Sequence, residues 1–377
     1  MKASTTPAPE LSWAQVHAFR LRRHHLGRMA TREDLVRVAG DVGGFQAQVM
    51  SAAELQAAVR SSCAVNDVRD ALWKERTLVK TWLMRGTLHL IPADDLPLYT
   101  AAMRTRWIRT RPAWLKYMQV TMPQLVELFD DIAQELDGTP KTRAEILERV
   151  GHRHPNRVRE TLSSGWGGLL KPVARSGLLC FGPSRGQNVT FVRPSAWLGT
   201  WRELDPDAAL VEVARRYLRA YGPATKADFT RWWGNWPGVG SAAWGGLAQE
   251  LTPVSVEGAR LDLLTTDLES IARAEPDELV VMLPAFDPYL MGHASRAHLV
   301  AREHAPRVSR VAGWISPVVL VRGRVVATWT HTVAANRMTV RVDALDRIRP
   351  SARAAVRERA GMIARALGVA RAEVEFA

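Results

Sequence analysis

The sequence predicts an α+β fold that is predominantly helical, with three tandem winged helix-turn-helix units carrying small antiparallel β-hairpin wings, followed by a C-terminal α/β module. Three observations predict this fold. A helix-start motif recurs three times, two β-rich runs joined by a turn follow each copy, and the chain then changes to longer apolar strands. At 377 residues the chain exceeds one ordinary domain of about 100–150 residues, so several units are expected.

The recurring motif places a threonine three residues before an acid and four before an apolar residue. Its copies are Thr31–Leu35, Thr142–Ile146 and Thr225–Phe229. A threonine hydroxyl and an acid three residues later satisfy each other's free amides at a helix start, which is the capping box. The motif therefore predicts a capped helix at each position.

An amphipathic helix precedes each motif, with apolar residues at three- and four-residue spacing over Trp13–His25, Pro123–Leu136 and Ala208–Tyr221. The first unit is longer than the others. Its extra length predicts a helix after a further capping box at Ser51–Glu54 and another helix around Val68–Arg76.

Each unit ends in a predicted hairpin. The strands pair Leu78–Leu83 with Thr87–Ile91, Gly177–Phe181 with Asn188–Val192, and Thr252–Val256 with Arg260–Leu264. The connecting turns contain Arg85-Gly86, the loop Gly182–Gln187, and Glu257-Gly258. Two helices, a third helix and a hairpin in this order predict a winged helix.

The C-terminal module begins with the apolar run Glu278–Pro284. Further predicted strands are Val318–Val321, Val325–Trp329, Thr339–Val342 and Ala372–Phe376, with a helix over Pro350–Leu367. We therefore divide the chain into a flexible leader (1–10), winged helix 1 with extra helices (11–119), winged helix 2 (120–200), winged helix 3 (201–275) and the C-terminal module (276–377).

Charge and cysteine content restrict the classes of function. The net charge of +13 favours a polyanionic partner, although 44 of the 51 basic residues are Arg, as a GC-rich genome also produces. No apolar run reaches about 18 residues and no secretory signal is present, so no membrane partner is predicted. Two cysteines, Cys63 and Cys180, are too few for a disulfide framework or a structural zinc site, which fits a reducing cytosol.

The candidate DNA contacts lie at hairpin turns. Arg85, Arg185, Arg322 and Arg324 occupy or flank such turns, where phosphate contacts supply affinity without sequence information. Charged turn tips are also common on any solvated surface, and that interpretation stays open for each arginine.

The segment Gly43–Met50 contains Gln46 and Gln48 after a glycine pair, where the third helix of the first unit is expected to start. From the residues alone, the two amides contact bases or phosphates, or belong to the polar surface.

The motifs Phe45–Gln48, Leu83–Leu90, Leu283–Gly292 and Pro317–Trp329, in this order, resemble the AlkZ/YcaQ family of winged-helix DNA glycosylases. Members of that family excise alkylated purines and unhook DNA interstrand crosslinks. The resemblance implies that Gln46 and Gln48 are catalytic, as in the Gln-x-Gln branch, which is similar to Streptomyces self-resistance enzymes for azinomycin-type crosslinks. We add His89 and Arg296 to the predicted DNA-binding residues.

The resemblance implies a glycosylase that acts on double-stranded DNA carrying alkylated or crosslinked purines, and the lysine positions predict a monofunctional one. Because no lysine lies near the Gln motif and the nearest in sequence is Lys74, no Schiff-base lyase step is expected. No metal or other cofactor is predicted, and the protein is expected to act as a cytoplasmic, nucleoid-associated monomer. The alternative function is a non-catalytic winged-helix transcriptional regulator; an RNA-binding module is a weaker possibility, since RNP-like aromatic strands are missing.

Overall fold

The computed structural model describes residues 8–107, 112–164, 167–199 and 201–377 and shows a mixed α/β protein in which helices predominate. Residues 1–7 of the predicted leader lie outside the described part. The helices are α1 (Trp13–Arg23), α2 (Leu35–Asp41), α3 (Met50–Ala58), α4 (Val65–Trp73), α5 (Leu96–Trp107), α6 (Pro112–Met118), α7 (Met122–Glu135), α8 (Arg143–Val150), α9 (Asn156–Ser163), α10 (Leu170–Arg175), α11 (Pro194–Leu198), α12 (Pro206–Tyr221), α13 (Lys226–Trp233), α14 (Val239–Gly246), α15 (Leu268–Ala272), α16 (Pro288–Met291), α17 (Ala305–Val308) and α18 (Pro350–Ala366).

The strands are short except in the C-terminal part. They are β1 (Glu10–Leu11), β2 (Phe45–Gln46), β3 (Leu78–Trp82), β4 (Leu88–Pro92), β5 (Lys141–Thr142), β6 (Cys180–Arg185), β7 (Asn188–Val192), β8 (Leu251–Val256), β9 (Ala259–Leu264), β10 (Val280–Leu283), β11 (Val318–Val321), β12 (Arg324–Ala334), β13 (Arg337–Ala344) and β14 (Arg371–Phe376).

Two compact units form from these elements. The first unit contains the chain up to Val68 together with Ala214–Ala377, and the second contains Arg69–Val213. These units are defined by internal contacts and cut across the segments predicted from the repeats. The division into three winged helices and a C-terminal module therefore stays a prediction.

The first unit is built on a five-stranded sheet in the order β10-β11-β12-β13-β14, antiparallel except for the parallel pair β13–β14. Helix α18 covers one face, where Val356, Ala360 and Ile363 join a core with Trp329. Leu55 of α3 belongs to the same core. Helix α3 is therefore held against the sheet by buried apolar contact.

The second unit has its own hydrophobic core around the β3–β4 and β6–β7 hairpins. The Trp82 ring packs edge-on against Phe181, with ring centroids 4.7 Å apart, and lies nearly parallel to Phe191 at 6.1 Å. Apolar residues of α7 to α10 complete this core, among them Leu128, Ile146 and Val173. The second unit thus contains the cluster that one hydrophobic domain core requires.

The repeated helix starts are confirmed as capping boxes. Thr142 and Thr225 accept hydrogen bonds from the backbone N of Glu145 and Asp228, at 3.3 and 3.1 Å. Thr31 forms a capping box with Asp34 at a short 3₁₀ turn that leads into α2.

The capping box predicted at Ser51 is wrong. Helix α3 starts at Met50, two residues before the start that a Ser51 cap predicts, and its N-cap is Val49, whose side chain cannot accept a hydrogen bond. Ser51 is therefore already inside the helix, where its hydroxyl has no free terminal amide to cap.

The predicted hairpins are present, with one change. Strand β6 continues to Arg185 with a register irregularity after Gly182, so the turn is reduced to Gly186-Gln187. Arg185 is thus the last residue of a strand and not part of a long loop.

The turn between β11 and β12 packs tightly against α1. Gly323 has φ of +79°, and a Cβ there would lie 2.6 Å from the His17 Cβ. The Tyr289 hydroxyl also donates a hydrogen bond to the Gly323 carbonyl at 3.3 Å. Only glycine fits this position without displacing α1, because both the conformation and the space exclude a side chain.

Two further expectations concern membranes and thiols. Among the described residues, every helix is too short or too polar to cross a membrane. Cys63 and Cys180 are both free and buried. Burial raises the pKa of each thiol, so neither is a reactive thiolate at neutral pH.

Candidate active site around the Gln motif

The Gln motif lies on an extended segment that leads into α3. Gly43 and Gly44 have φ of +70° and +95°, a conformation that favours glycine and turns the chain out of α2. Phe45 and Gln46 form the short strand β2, and α3 begins four residues after Gln46. The motif thus precedes the third helix, whereas the sequence placed it at the helix start.

The two glutamines occupy different environments. Gln46 is buried, with 5% of its surface exposed, whereas Gln48 is exposed. The open interpretation of both amides as polar surface is therefore wrong for Gln46. Buried amides usually have hydrogen-bond partners, and these restrict the orientation of the side chain.

A third glutamine fixes the main chain of Gln46. The Gln56 Oε1 accepts a hydrogen bond from the Gln46 backbone N at 3.0 Å, and the Gln56 Nε2 donates to the Gln46 carbonyl at 3.2 Å. The same Nε2 donates to the Ala285 carbonyl at 3.1 Å. Gln56 is completely buried in α3, so these bonds form away from competing water.

A buried ion pair holds Gln56 in turn. Arg60 and Asp287 have no exposed side-chain surface, and the two guanidinium nitrogens contact the two carboxylate oxygens at 2.6 and 2.8 Å. The Arg60 Nη1 also donates to the Gln56 carbonyl at 2.9 Å. This two-pronged geometry is the strongest arrangement of an arginine and a carboxylate.

The segment Leu283–Gly292 supplies the other half of this arrangement. Ala285 provides the carbonyl for Gln56, and Asp287 pairs with Arg60 and caps α16 through the backbone N of Tyr289. Between them, Phe286 has φ of +57°, an uncommon value for a bulky residue. This segment is far from the Gln motif in sequence, and it supports the motif through its contacts with Gln56 and Arg60.

A cleft of about 600 Å³ lies beside the motif in the first unit, and we call it the α3 cleft. Val49, directly after Gln48, and Ser51, Ala52 and Leu55 of α3 form one wall. The remaining lining residues are Pro284, Ala285, Pro306, Arg307, Arg310, Trp314, Ser316, Pro317, Thr328, Trp329, Thr330, His331 and Asp343.

The predicted DNA contacts of the first unit differ in availability. Arg296 is half-buried, and its guanidinium bonds to the Leu290 carbonyl at 2.6 Å and to the Ser309 hydroxyl at 3.3 Å. Arg322 is exposed and pairs with Glu278. Arg324 is exposed and, within the described residues, has no ion pair, so it is the most available of the three.

The predicted contacts of the second unit are mostly engaged within the unit. His89 is 2% exposed; its Nδ1 bonds to the Thr87 carbonyl at 3.0 Å and its Nε2 lies 3.4 Å from Arg85. Burial, reinforced by Arg85, lowers the pKa of His89 to about 3, so the ring is neutral. Arg185 is exposed but pairs with Glu145. His89 is thus enclosed and neutral beside Arg85.

Gln56 and Arg60 are residues that the sequence analysis missed. Gln56 lies on α3 and Arg60 lies in the turn just after it, and polar residues at a spacing of four are also typical of a solvated helix face. Their partners lie more than 200 residues away in sequence, so no local signal distinguishes the two cases.

The chain is similar in sequence and in structure to known DNA glycosylases. Residues 39–366 match the sequence family described as DNA glycosylase AlkZ-like. The chain is 38% identical, over 376 residues covering 97% of this chain and 99% of the relative, to an interstrand DNA cross-link repair glycosylase of Streptomyces sahachiroi. The structure is similar to that of the Streptomyces sahachiroi DNA glycosylase AlkZ, with a TM-score of 0.87 and 36% identity over 98% of this chain and 100% of that chain.

We predict that Arg60→Ala lowers the free energy of unfolding by about 3–5 kcal/mol, because it leaves the Asp287 carboxylate buried and unpaired. Denaturant unfolding monitored by circular dichroism measures the change. The control is Arg322→Ala, which removes an exposed ion pair and should change stability by about 1 kcal/mol or less. Equal effects of the two substitutions would contradict a supporting role for the buried pair.

Proposed function

The chain belongs to the AlkZ-like family of DNA glycosylases, and on this premise we propose that it hydrolyses the N-glycosidic bond of purines alkylated at N7 or N3 and unhooks DNA interstrand crosslinks. The observation that carries the proposal is Gln46, a buried residue whose main chain Gln56 holds in the segment that leads to the cleft wall at Val49.

We also propose that the chain contains three winged helices. The support is the order of elements, in which α8 and α13 start at capping boxes, short helices follow, and the hairpins β6–β7 and β8–β9 come next. The first copy follows the same order with extra helices before β3–β4. Such units bind duplex DNA through a helix and a wing.

The chemistry requires little from the protein because the substrate is already activated. A purine alkylated at N7 or N3 carries positive charge, so it leaves as a neutral base without protonation. The enzyme must stabilise the positive charge that develops on the sugar and position a water molecule. We propose that Gln46 and Gln48 orient the nucleophilic water at C1′ through their carbonyl oxygens.

The different exposure of the two amides supports a division of this work. Gln48 is exposed and can meet the DNA directly, whereas Gln46 is enclosed and cannot reorient freely. A fixed dipole in a low-dielectric site stabilises developing charge without rearranging at the moment of reaction. DNA phosphates next to the lesion add to this stabilisation.

We propose that an azinomycin-type crosslink is the physiological substrate, with simpler adducts such as N7-methylguanine also accepted. The support is the Gln-x-Gln form of the motif and the likeness to the Streptomyces sahachiroi crosslink-repair glycosylase. Binding to DNA relies on Arg85, Arg185, Arg322 and Arg324, and we propose a cytoplasmic, nucleoid-associated monomer.

Gln46→Ala and Gln48→Ala should each reduce release of N7-methylguanine from duplex DNA by at least tenfold, because each removes one amide dipole at the reacting sugar. Alkali cleavage of the abasic product, resolved on a denaturing gel, measures release. Binding to undamaged duplex should change by less than twofold, because neither residue is charged.

Arg324→Ala provides the opposite pattern and serves as the control. It should weaken DNA binding and reduce the salt dependence of that binding, while release at saturating protein stays unchanged. If wild-type protein binds duplex DNA but releases no base, the protein is a non-catalytic DNA-binding regulator and the glycosylase proposal fails.

We propose that the enzyme has no lyase activity. Among the described residues of the first unit, Lys226 at the start of α13 is the one lysine, and it does not line the α3 cleft. A Schiff-base mechanism needs an amine at the sugar. Incubation with alkylated duplex and borohydride should therefore give no covalent protein–DNA adduct, and a trapped adduct that Lys226→Ala abolishes would contradict the proposal.

We further propose that Gln56 is a positioning residue. In Gln56→Glu, an oxygen replaces the Nε2 that donates to the carbonyls of Gln46 and Ala285. The buried carboxylate would face two carbonyl oxygens, and this raises its pKa. Base release should therefore be lost at pH 8 and partly recover at pH 5.5, where a protonated carboxyl can donate one of the bonds.

The matched control for this variant is Gln124→Glu. Gln124 is exposed at the third position of α7, where a glutamate side chain makes the same capping box. Its pH profile should match that of the wild-type protein. A Gln56→Glu profile parallel to wild type at all pH values would show that Gln56 does not position the motif.

A further inference from the structure

We propose that the α3 cleft receives the flat aromatic arm of a bulky alkylpurine adduct while Gln46 and Gln48 act on the sugar that carries it. The inference rests on the proposed glycosylase function and deepens it, since it assigns part of the substrate to a separate site. Four observations support it: the position of the cleft, its size, its aromatic wall and its basic rim.

The cleft and the Gln motif share their supporting elements. Val49 lines the cleft and follows Gln48 directly in the chain. Ala285 lines the cleft and accepts the hydrogen bond from Gln56 that also holds Gln46. The cleft therefore lies next to the segment that we propose acts on the sugar.

The size and lining of the cleft exceed what a methylated base needs. Its volume of about 600 Å³ lies within the range of small-molecule sites, roughly 300–1,000 Å³. A purine with one methyl group fills a small part of that space. Its apolar wall includes Ala52, Leu55 and Trp329, with Thr328 and Thr330 as polar groups among them.

Trp314 gives the cleft an aromatic surface that folding alone does not require. Its side chain is 40% exposed, and its ring packs edge-on against Phe286, with centroids 4.9 Å apart and planes at 69°. Two residues here have a left-handed backbone conformation. Phe286 has φ of +57°, and Ala312, two residues before Trp314, has φ of +59°. Trp314 lines the cleft, so its partly exposed ring adds an aromatic surface there.

The rim has the charge that an adduct in DNA requires. Arg307 and Arg310 are exposed and line the cleft, where they can contact the phosphates beside the lesion. His331 faces the same space, and partial burial lowers its pKa, so its imidazole does not add positive charge beside a cationic purine. The rim thus suits a neutral aromatic arm on a polyanionic strand.

The test compares two duplexes, one containing N7-methylguanine and one containing N7-benzylguanine. Trp314→Ala removes the aromatic wall, and Ser51→Trp fills the cleft from its exposed rim. Both variants should lower the rate of benzylguanine release relative to methylguanine release by at least tenfold. Val311→Ala is the matched control, because Val311 is 92% exposed in the same loop and does not line the cleft.

Each outcome has one interpretation. Thermal unfolding shows whether the variants fold. If both variants fold and the ratio of the two rates stays within threefold of wild type, the inference is overturned while the glycosylase function stands. Trp314→Phe should keep most of the wild-type ratio, because a phenyl ring still offers a flat face. Release of neither base by wild-type protein would contradict the proposed function, and the inference would fall with it.

Discussion

The buried pair between Arg60 and Asp287 is the interaction on which the site depends. It joins residues 227 positions apart, and it fixes both the helix that carries Gln56 and the segment that carries Ala285. A fully buried charge is tolerated only with its partner and with further hydrogen bonds. The pair therefore specifies how α3 and the Leu283–Gly292 segment lie against each other, and the Gln motif takes its position from both.

The positive charge and the proposed chemistry use different residues. Several of the arginines predicted to meet DNA are engaged within the protein, as Arg296 is with Leu290 and Ser309 and Arg322 is with Glu278. A net charge of +13 still attracts DNA at long range, because that field depends on the sum of charges more than on any one residue. The two amides carry no charge, and the proposed chemistry uses them at contact distance.

Short-range patterns in the sequence predicted the local structure. The site could not be predicted from them alone, because it depends on contacts between residues far apart in the chain. The capping boxes at Thr142 and Thr225 and the hairpin strands follow from residues a few positions apart, so they could be predicted. The capping box predicted at Ser51 was wrong because a serine three residues before a glutamate also occurs inside a helix. The roles of Gln56 and Arg60 depend on residues that only the fold brings near, while Gln46 and Gln48 were found through a family resemblance and not through spacing.

The burial of Gln46 gives a physical reason for an amide at this position. A carboxylate with 5% exposure would lose most of its hydration, and its pKa would rise, so its charge would depend on pH. An amide keeps the same dipole at every physiological pH and can both donate and accept hydrogen bonds. That is sufficient where the leaving base already carries positive charge, since neither a general acid nor a strong base is needed. The buried position and the activated substrate therefore favour the same side chain.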